Sequence, residues 1–172
     1  MDSGPRSLRL LGRNDQSIVR NALRSLTPTR YDAAEASNVS HTGEAMPNIQ
    51  RIIVPGIREP VSHYCHVTRA GPHVWVAGVV GQASDGSIPS NVVDQFDAAI
   101  ATMDKCLKAA GAGPEHVVKV QVFMTDITER PKINPRRIAY FGDNLPASTL
   151  VEVKGLVDPR MKVEIECQAY VG

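Results

Sequence analysis

The chain has 172 residues, a formal net charge of +1 and 42% apolar residues, with one Trp, four Tyr and three Phe. That is enough for one domain with a real core plus an appendage, and too short for two ordinary domains. The balanced charge argues against nucleic acid or an anionic membrane as partner, and no apolar run approaches the roughly 20 residues that cross a bilayer. Cys65, Cys106 and Cys167 form no CxxC pair and are widely spaced. They are expected to be reduced and buried, in an intracellular, cytoplasmic protein.

Residues 1–45 differ from the rest. Ile18, Val19, Ala22, Leu23 and Leu26 recur at helical spacing after Asp15 and before Pro28, which predicts a short amphipathic helix. Residues 27–44 are rich in Ser, Thr, Ala and Asn without periodicity and read as a flexible linker. Three origins fit this extension: an upstream start codon ahead of Met46, an Arg-rich organelle-targeting segment, or a docking helix. The folded domain is placed at 46–172.

Within it, residues 50–54 form a short β-branched run closed by Pro55-Gly56, and strands are expected at 62–68 and 73–77 around a turn at 69–72. Residues 91–110 carry Val93, Phe96, Ile100, Met103 and Leu107 as one apolar stripe, with Gly111 as the stop, the pattern of an amphipathic helix. A strand follows over 117–122. A second helix is expected over 129–143, with Pro131 suited to its first turn and Pro135 awkward enough to delay its start. The last strands fall at 148–153 and 162–171. The order β-β-β-α-β-α-β-β argues an α+β domain, a mixed sheet with both helices on one face.

The final strand alternates. Val163, Ile165, Cys167, Ala169 and Val171 take turns with Glu164, Glu166, Gln168 and Tyr170, so one face packs on a core and the other presents two carboxylates. Glu is depleted in strands. Such a face is commonly just a solvated one; the sharper alternative is that one carboxylate lines a pocket. Other constellations are weak. His63 and His66 are three apart on an expected strand, so they point to opposite faces and cannot share a metal. GVVGQASDG lacks the lysine of a phosphate loop. No metal site and no cofactor are expected.

Taken together, AGPHVWVAG, a helix, VVKVQVFMTDI, NPRRIAYFGDNLPAS and VEVKGLVDPRMKVEIECQAY resemble the Rid (YjgF-like) family of reactive-intermediate deaminases, from about Ile49 to Gly172. Its signature, P-A-x-x-x-V-E-V followed by V-E-I-E, stands here in order. The resemblance implies a chorismate-mutase-like fold assembled as a homotrimer, and hydrolysis of enamines, as their imine tautomers, to a ketone and ammonia. It implies that Glu164 holds the attacking water, that Tyr64 and Asn134 line the same pocket, and that the Gly78 backbone approaches the ligand. Each has a plainer alternative: a solvated or ion-paired strand residue for Glu164, sheet packing for Tyr64, a helix N-cap for Asn134, turn chemistry for Gly78.

One position departs from the pattern. Family members acting on 2-aminoacrylate-like substrates carry an arginine after Pro-Ala, which pairs with the substrate carboxylate in bidentate fashion. This chain has Ser148 there. Arg137, one helical turn beyond Asn134, is the replacement candidate; its alternative is a solvent-exposed arginine beside Arg136. The leading reading is therefore an imine deaminase for a substrate other than the simplest enamine, an aminomuconate-type ring-cleavage intermediate being one class. The runner-up is a non-catalytic trimer that binds a small metabolite at subunit clefts. Ribonuclease activity is the least favoured, since no basic, aromatic-studded face is legible.

Overall fold

A computed structural model describes residues 48–83 and 85–172, and the helix and linker expected before Met46 lie outside them. Six strands form one mixed sheet: β1 (Ile49–Ile52), β2 (Val67–Ala70), β3 (His73–Val80), β4 (Val117–Met124), β5 (Ala147–Glu152) and β6 (Val163–Tyr170). Two helices, α1 (Val92–Ala109) and α2 (Arg130–Phe141), join them. The spatial order is β1-β2-β3-β6-β4-β5, antiparallel throughout except for the parallel pair β4–β5.

The final strand thus lies in the middle of the sheet, between β3 and β4. Its alternation is expressed as expected: Val163, Ile165, Cys167 and Ala169 are buried, while Glu164 and Glu166 are half-buried on the other face. Phe96, Ala99, Met103 and Leu107 of α1 and Ile133 and Phe141 of α2 pack with Val74, Val76, Val120, Val122 and Ile165 in one core. Both helices therefore cover the same face of the sheet. Helix α1 is capped by Asn91, whose side chain accepts a hydrogen bond from the Asp94 N–H. Its buried stripe centres on Phe96, Ala99, Met103 and Cys106, with Val93 and Ile100 at the margin.

Three expectations need correction. Residues 62–66 are not strand; β2 begins only at Val67. The cause is His66, whose Nδ1 accepts from the Val54 N–H at 2.9 Å and whose Nε2 lies 2.9 Å from the Arg58 carbonyl. These bonds close residues 54–66 into a loop on the sheet edge, so His63 and His66 are not on a strand at all. Second, Pro135 does not delay α2. A 3-10 turn, Ile127–Glu129, leads directly into a helix that runs through Pro135 and stops at Gly142, φ 54°. Third, Asn134 is consequently the fifth residue of α2 and not its N-cap.

Among the described residues no helix is long and apolar enough to cross a membrane, and all three cysteines are free, Cys106 and Cys167 buried and Cys65 half-buried. Burial pushes the thiol pKa of Cys106 up to about 11 and, with Cys106 and Glu166 adding to it, that of Cys167 up to about 12. Neither is a reactive thiolate at neutral pH.

Candidate functional site

Glu164 is the second residue of β6 and pairs with Val80 on one side and Phe123 on the other. Across β3 the register shifts between Val76 and Val79, a bulge that contains Gly78 and turns its backbone toward the carboxylate. A methyl group at Gly78 would overlap Glu164 Oε1 and sit 3.0 Å from Cδ. Only glycine lets the carboxylate lie against the strand in this way. The two carboxylates of the face then diverge in role. Gln121 Nε2 donates to Glu166 Oε1, whereas no described residue donates a hydrogen bond to Glu164. Burial, and after it the Glu166 charge, raise the Glu164 pKa above the ordinary carboxylate value. A half-desolvated carboxylate without a fixed donor is suited to accepting a proton from a water molecule.

Gly78 also lines a cavity of about 810 Å³ between β3, the flank of α1 and the loop at 56–64. Tyr64, Arg58 and Gln82 share that lining with Ala98, Thr102 and Lys105 of α1. Tyr64 is 47% exposed, held on the loop that His66 closes. A smaller hollow, about 220 Å³, lies on the open face among Cys65, Trp75, Lys119, Gln121 and Glu166.

The other three candidates lie elsewhere. In the β4–β5 ladder Ser148 is opposite Val120, and Val151 is opposite Phe123. Directly opposed residues share a face, so Val151 belongs with Phe123 and Glu164, while Ser148 belongs with the helices. Ser148 is three residues from Val151 along β5 and two strands from β6, which puts its Cα about 14 Å from that of Glu164. There it meets α2: Arg137 Nη2 donates to Ser148 Oγ at 2.6 Å. Arg137 is half-buried, unlike its exposed neighbour Arg136, which pairs with Asp97. Burial first, then the Arg130 charge, lower the Arg137 pKa. Asn134 is half-buried one turn before Arg137.

The six candidates therefore do not form one pocket: Gly78 meets Glu164, Tyr64 shares with Gly78 only the cavity beside α1, whose lining does not include Glu164, and Arg137 meets Ser148 on the helix face with Asn134 one turn away. The residue that sequence reasoning passed over is Gln95, fully buried in α1. Its amide donates to the Pro89 and Arg160 carbonyls at 2.7 and 2.9 Å and accepts from the Lys162 N–H at 2.7 Å, pinning the residue that precedes β6 and so the start of the strand that carries Glu164. A glutamine inside an otherwise apolar helix face was its only signal. Among the described residues no three His, Cys, Asp or Glu side chains are placed to hold a metal ion.

The sequence model of the family described as Endoribonuclease L-PSP matches residues 56–171. The chain is 30% identical over 132 residues to 2-iminobutanoate/2-iminopropanoate deaminase of Mus musculus, covering 74% of this chain and 96% of that protein. It is 31% identical over 129 residues to 3-aminoacrylate deaminase RutC of Acinetobacter baylyi, covering 71% and 98%. A crystal structure of a YjgF/YER057c/UK114 family member from Mycobacterium tuberculosis superposes with a TM-score of 0.64 at 29% identity, over 72% of this chain and 100% of the other.

Proposed function

The chain belongs to the Endoribonuclease L-PSP (Rid, YjgF-like) family, and on that premise we propose that it hydrolyses reactive imines, the tautomers of enamines, to a carbonyl compound and ammonia. The observation that carries this reading is Glu164: a half-buried carboxylate laid against the Gly78 backbone, with its pKa raised and its hydrogen-bonding capacity free. An imine carbon is electrophilic by itself, so the reaction needs an oriented water and a proton acceptor and donor, and neither metal nor organic cofactor. Water attacks the C=N carbon while Glu164 takes its proton. Returning that proton to nitrogen gives a carbinolamine; when the same carboxylate then moves the remaining hydroxyl proton to nitrogen, the C–N bond breaks and leaves one C=O group and one NH₃.

Tyr64 and the Gly78 backbone would bound the reacting end of the substrate, and Asn134, Arg137 and Ser148 its acidic end. Because Glu164 and the Arg137–Ser148 pair lie on opposite faces of the sheet, one chain does not close the site. A homotrimer, with each site shared by neighbouring copies, supplies the missing half. It would also cover a sheet face on which Trp75 and Tyr170 are 41% and 46% exposed. The substrate class we favour is larger than the simplest enamine, an aminomuconate-type ring-cleavage intermediate being one example, and the cytoplasm is the proposed compartment.

A second reading rests on Ser148. Without an arginine at that position the trimer would bind a small metabolite at its clefts and turn nothing over. Glu164→Gln separates the two. It keeps size and reach but removes the proton acceptor, so ammonia release should fall by about 10²–10⁴. Because the native carboxyl has a raised pKa, Glu164 holds its proton more tightly when folded. Its charge therefore opposes folding above that pKa, and the amide variant should be at least as stable at pH 7. Glu166→Gln is the control, and should leave most of the turnover. Undiminished ammonia release in Glu164→Gln removes the residue from the mechanism and leaves the binding reading ahead.

A further inference from the structure

We propose that the substrate carries two carboxylates, the first held by Arg137 with Ser148 and the second by Arg130. This deepens the deaminase reading and rests on it. Helix α2 bears four cations: Arg130, Lys132, Arg136 and Arg137. Two are matched, Lys132 with Glu129 at 2.9 Å and Arg136 with Asp97 at 3.2 Å. Arg130 and Arg137 form no ion pair among the described residues, and Arg137 spends a short hydrogen bond on a neutral hydroxyl. Burial and the Arg130 charge both act against the Arg137 cation, so the two guanidinium groups sense each other with no anion between them.

They also share a face. Seven residues bring a helix back to within about 20° of its starting direction, about 10 Å further along the axis. Asn134 lies between them on the same side, able to donate to a carboxylate and to accept from an imine N–H. Arg137 is half-buried and Arg130 exposed, and a partly desolvated cation beside a like charge is unfavourable until an anion meets it. A monocarboxylate neutralises only one of them, whereas a dicarboxylate of five or six carbons neutralises both along the stripe Arg130–Asn134–Arg137. The Ser148 substitution fits the same logic. A short side chain leaves room for the Arg137 guanidinium to reach the strand, which moves the cation from β5 to α2 and aligns it with Arg130.

The test compares 2-iminopropanoate with 2-iminoglutarate, generated in place from alanine and glutamate by amino-acid oxidases, with ammonia release as readout on the full chain. One additional charge-assisted carboxylate contact predicts kcat/KM about 10- to 100-fold higher for 2-iminoglutarate. In Arg130→Gln that ratio should collapse toward unity through KM, with kcat on 2-iminoglutarate little changed. Arg130 is the exposed first residue of α2, so the variant should fold. Equal kcat/KM for both imines, or an equal loss on both in Arg130→Gln, overturns the dicarboxylate assignment and leaves the deaminase reading standing. Calorimetric binding of the keto acids 2-oxoglutarate and pyruvate decides the point even if neither imine is hydrolysed. Tighter 2-oxoglutarate binding that Arg130→Gln abolishes supports the two-arginine site, and equal affinities refute it.

Discussion

Gly78→Ala isolates the placement of the carboxylate proposed as proton acceptor from its chemistry. The added methyl would overlap Glu164 Oε1, with Cδ at 3.0 Å and Cγ at 3.4 Å. The obstacle is the end of a flexible side chain and not backbone, and Gly78 does not occupy the left-handed region that excludes alanine. The carboxylate should therefore swing aside by on the order of 1 Å, a displacement that can cost about 10²-fold in rate. Stability should barely suffer, because removing a glycine at a compatible backbone position offsets about 0.4–1 kcal/mol of any strain. Ammonia release and thermal melting on the same preparation give both numbers. If the alanine acts only through Glu164, adding it to Glu164→Gln should lower the rate no further, a non-additive pair. Full turnover in Gly78→Ala, or additive losses in the double variant, would refute the claim that this glycine exists to seat the carboxylate.

Glu166→Gln should move the acid limb of kcat/KM to lower pH, because the proposed mechanism needs Glu164 ionised and Glu166 is one of the two causes that raise its pKa; a limb that stays in place would mean that the Glu166 charge is not felt there. Gln95→Leu should lower the unfolding free energy by about 1–3 kcal/mol or more, since the Lys162 N–H loses its acceptor, and denaturant melts would show it. A chain beginning at Met46 is expected to assemble and turn over like the full chain, as measured by light scattering and ammonia release; insolubility would place the boundary further upstream.

The sheet and α1 were legible because their periodicities are local. Pleating alone assigns Glu164 and Glu166 to one face, and an apolar stripe at helical spacing ending at Gly111 marks α1. What escaped depends on contacts distant in sequence. Residues 62–66 have the composition of a strand, but the His66 side chain ties them to Val54 and Arg58, and tertiary bonds override propensity. Pro135 looked like a barrier; it lies in the second turn of α2, where one missing N–H is tolerated by a helix anchored through Ile133 and Phe141. For the site, the signature pointed to Glu164, Tyr64, Gly78 and Asn134 as one pocket. That Ser148, and Arg137 bonded to it, lie on the face opposite Glu164 follows from the parallel β4–β5 register. Residue parity held part of that answer, because Ser148 alternates with Thr149 and falls in phase with Leu150.

The separation is itself the strongest argument about assembly. If Glu164 and Arg137 serve the same substrate from opposite faces of one sheet, they must come from different copies, and genetic complementation can read this out. Chains carrying Glu164→Gln and chains carrying Arg137→Gln should each be defective at low substrate concentration. In a cyclic trimer mixed at equal ratio, each site draws its two halves from neighbouring chains independently, so roughly a quarter of the sites receive both native residues. Co-folded mixtures should then recover about a quarter of the native kcat/KM, while mixtures of preformed trimers that do not exchange recover none. Had both residues belonged to a site within one chain, every site in every mixture would carry one defect and activity would never return. Absence of recovery in trimers proven to be mixed would therefore sink the shared site, and with it the joint role assigned to Glu164 and Arg137.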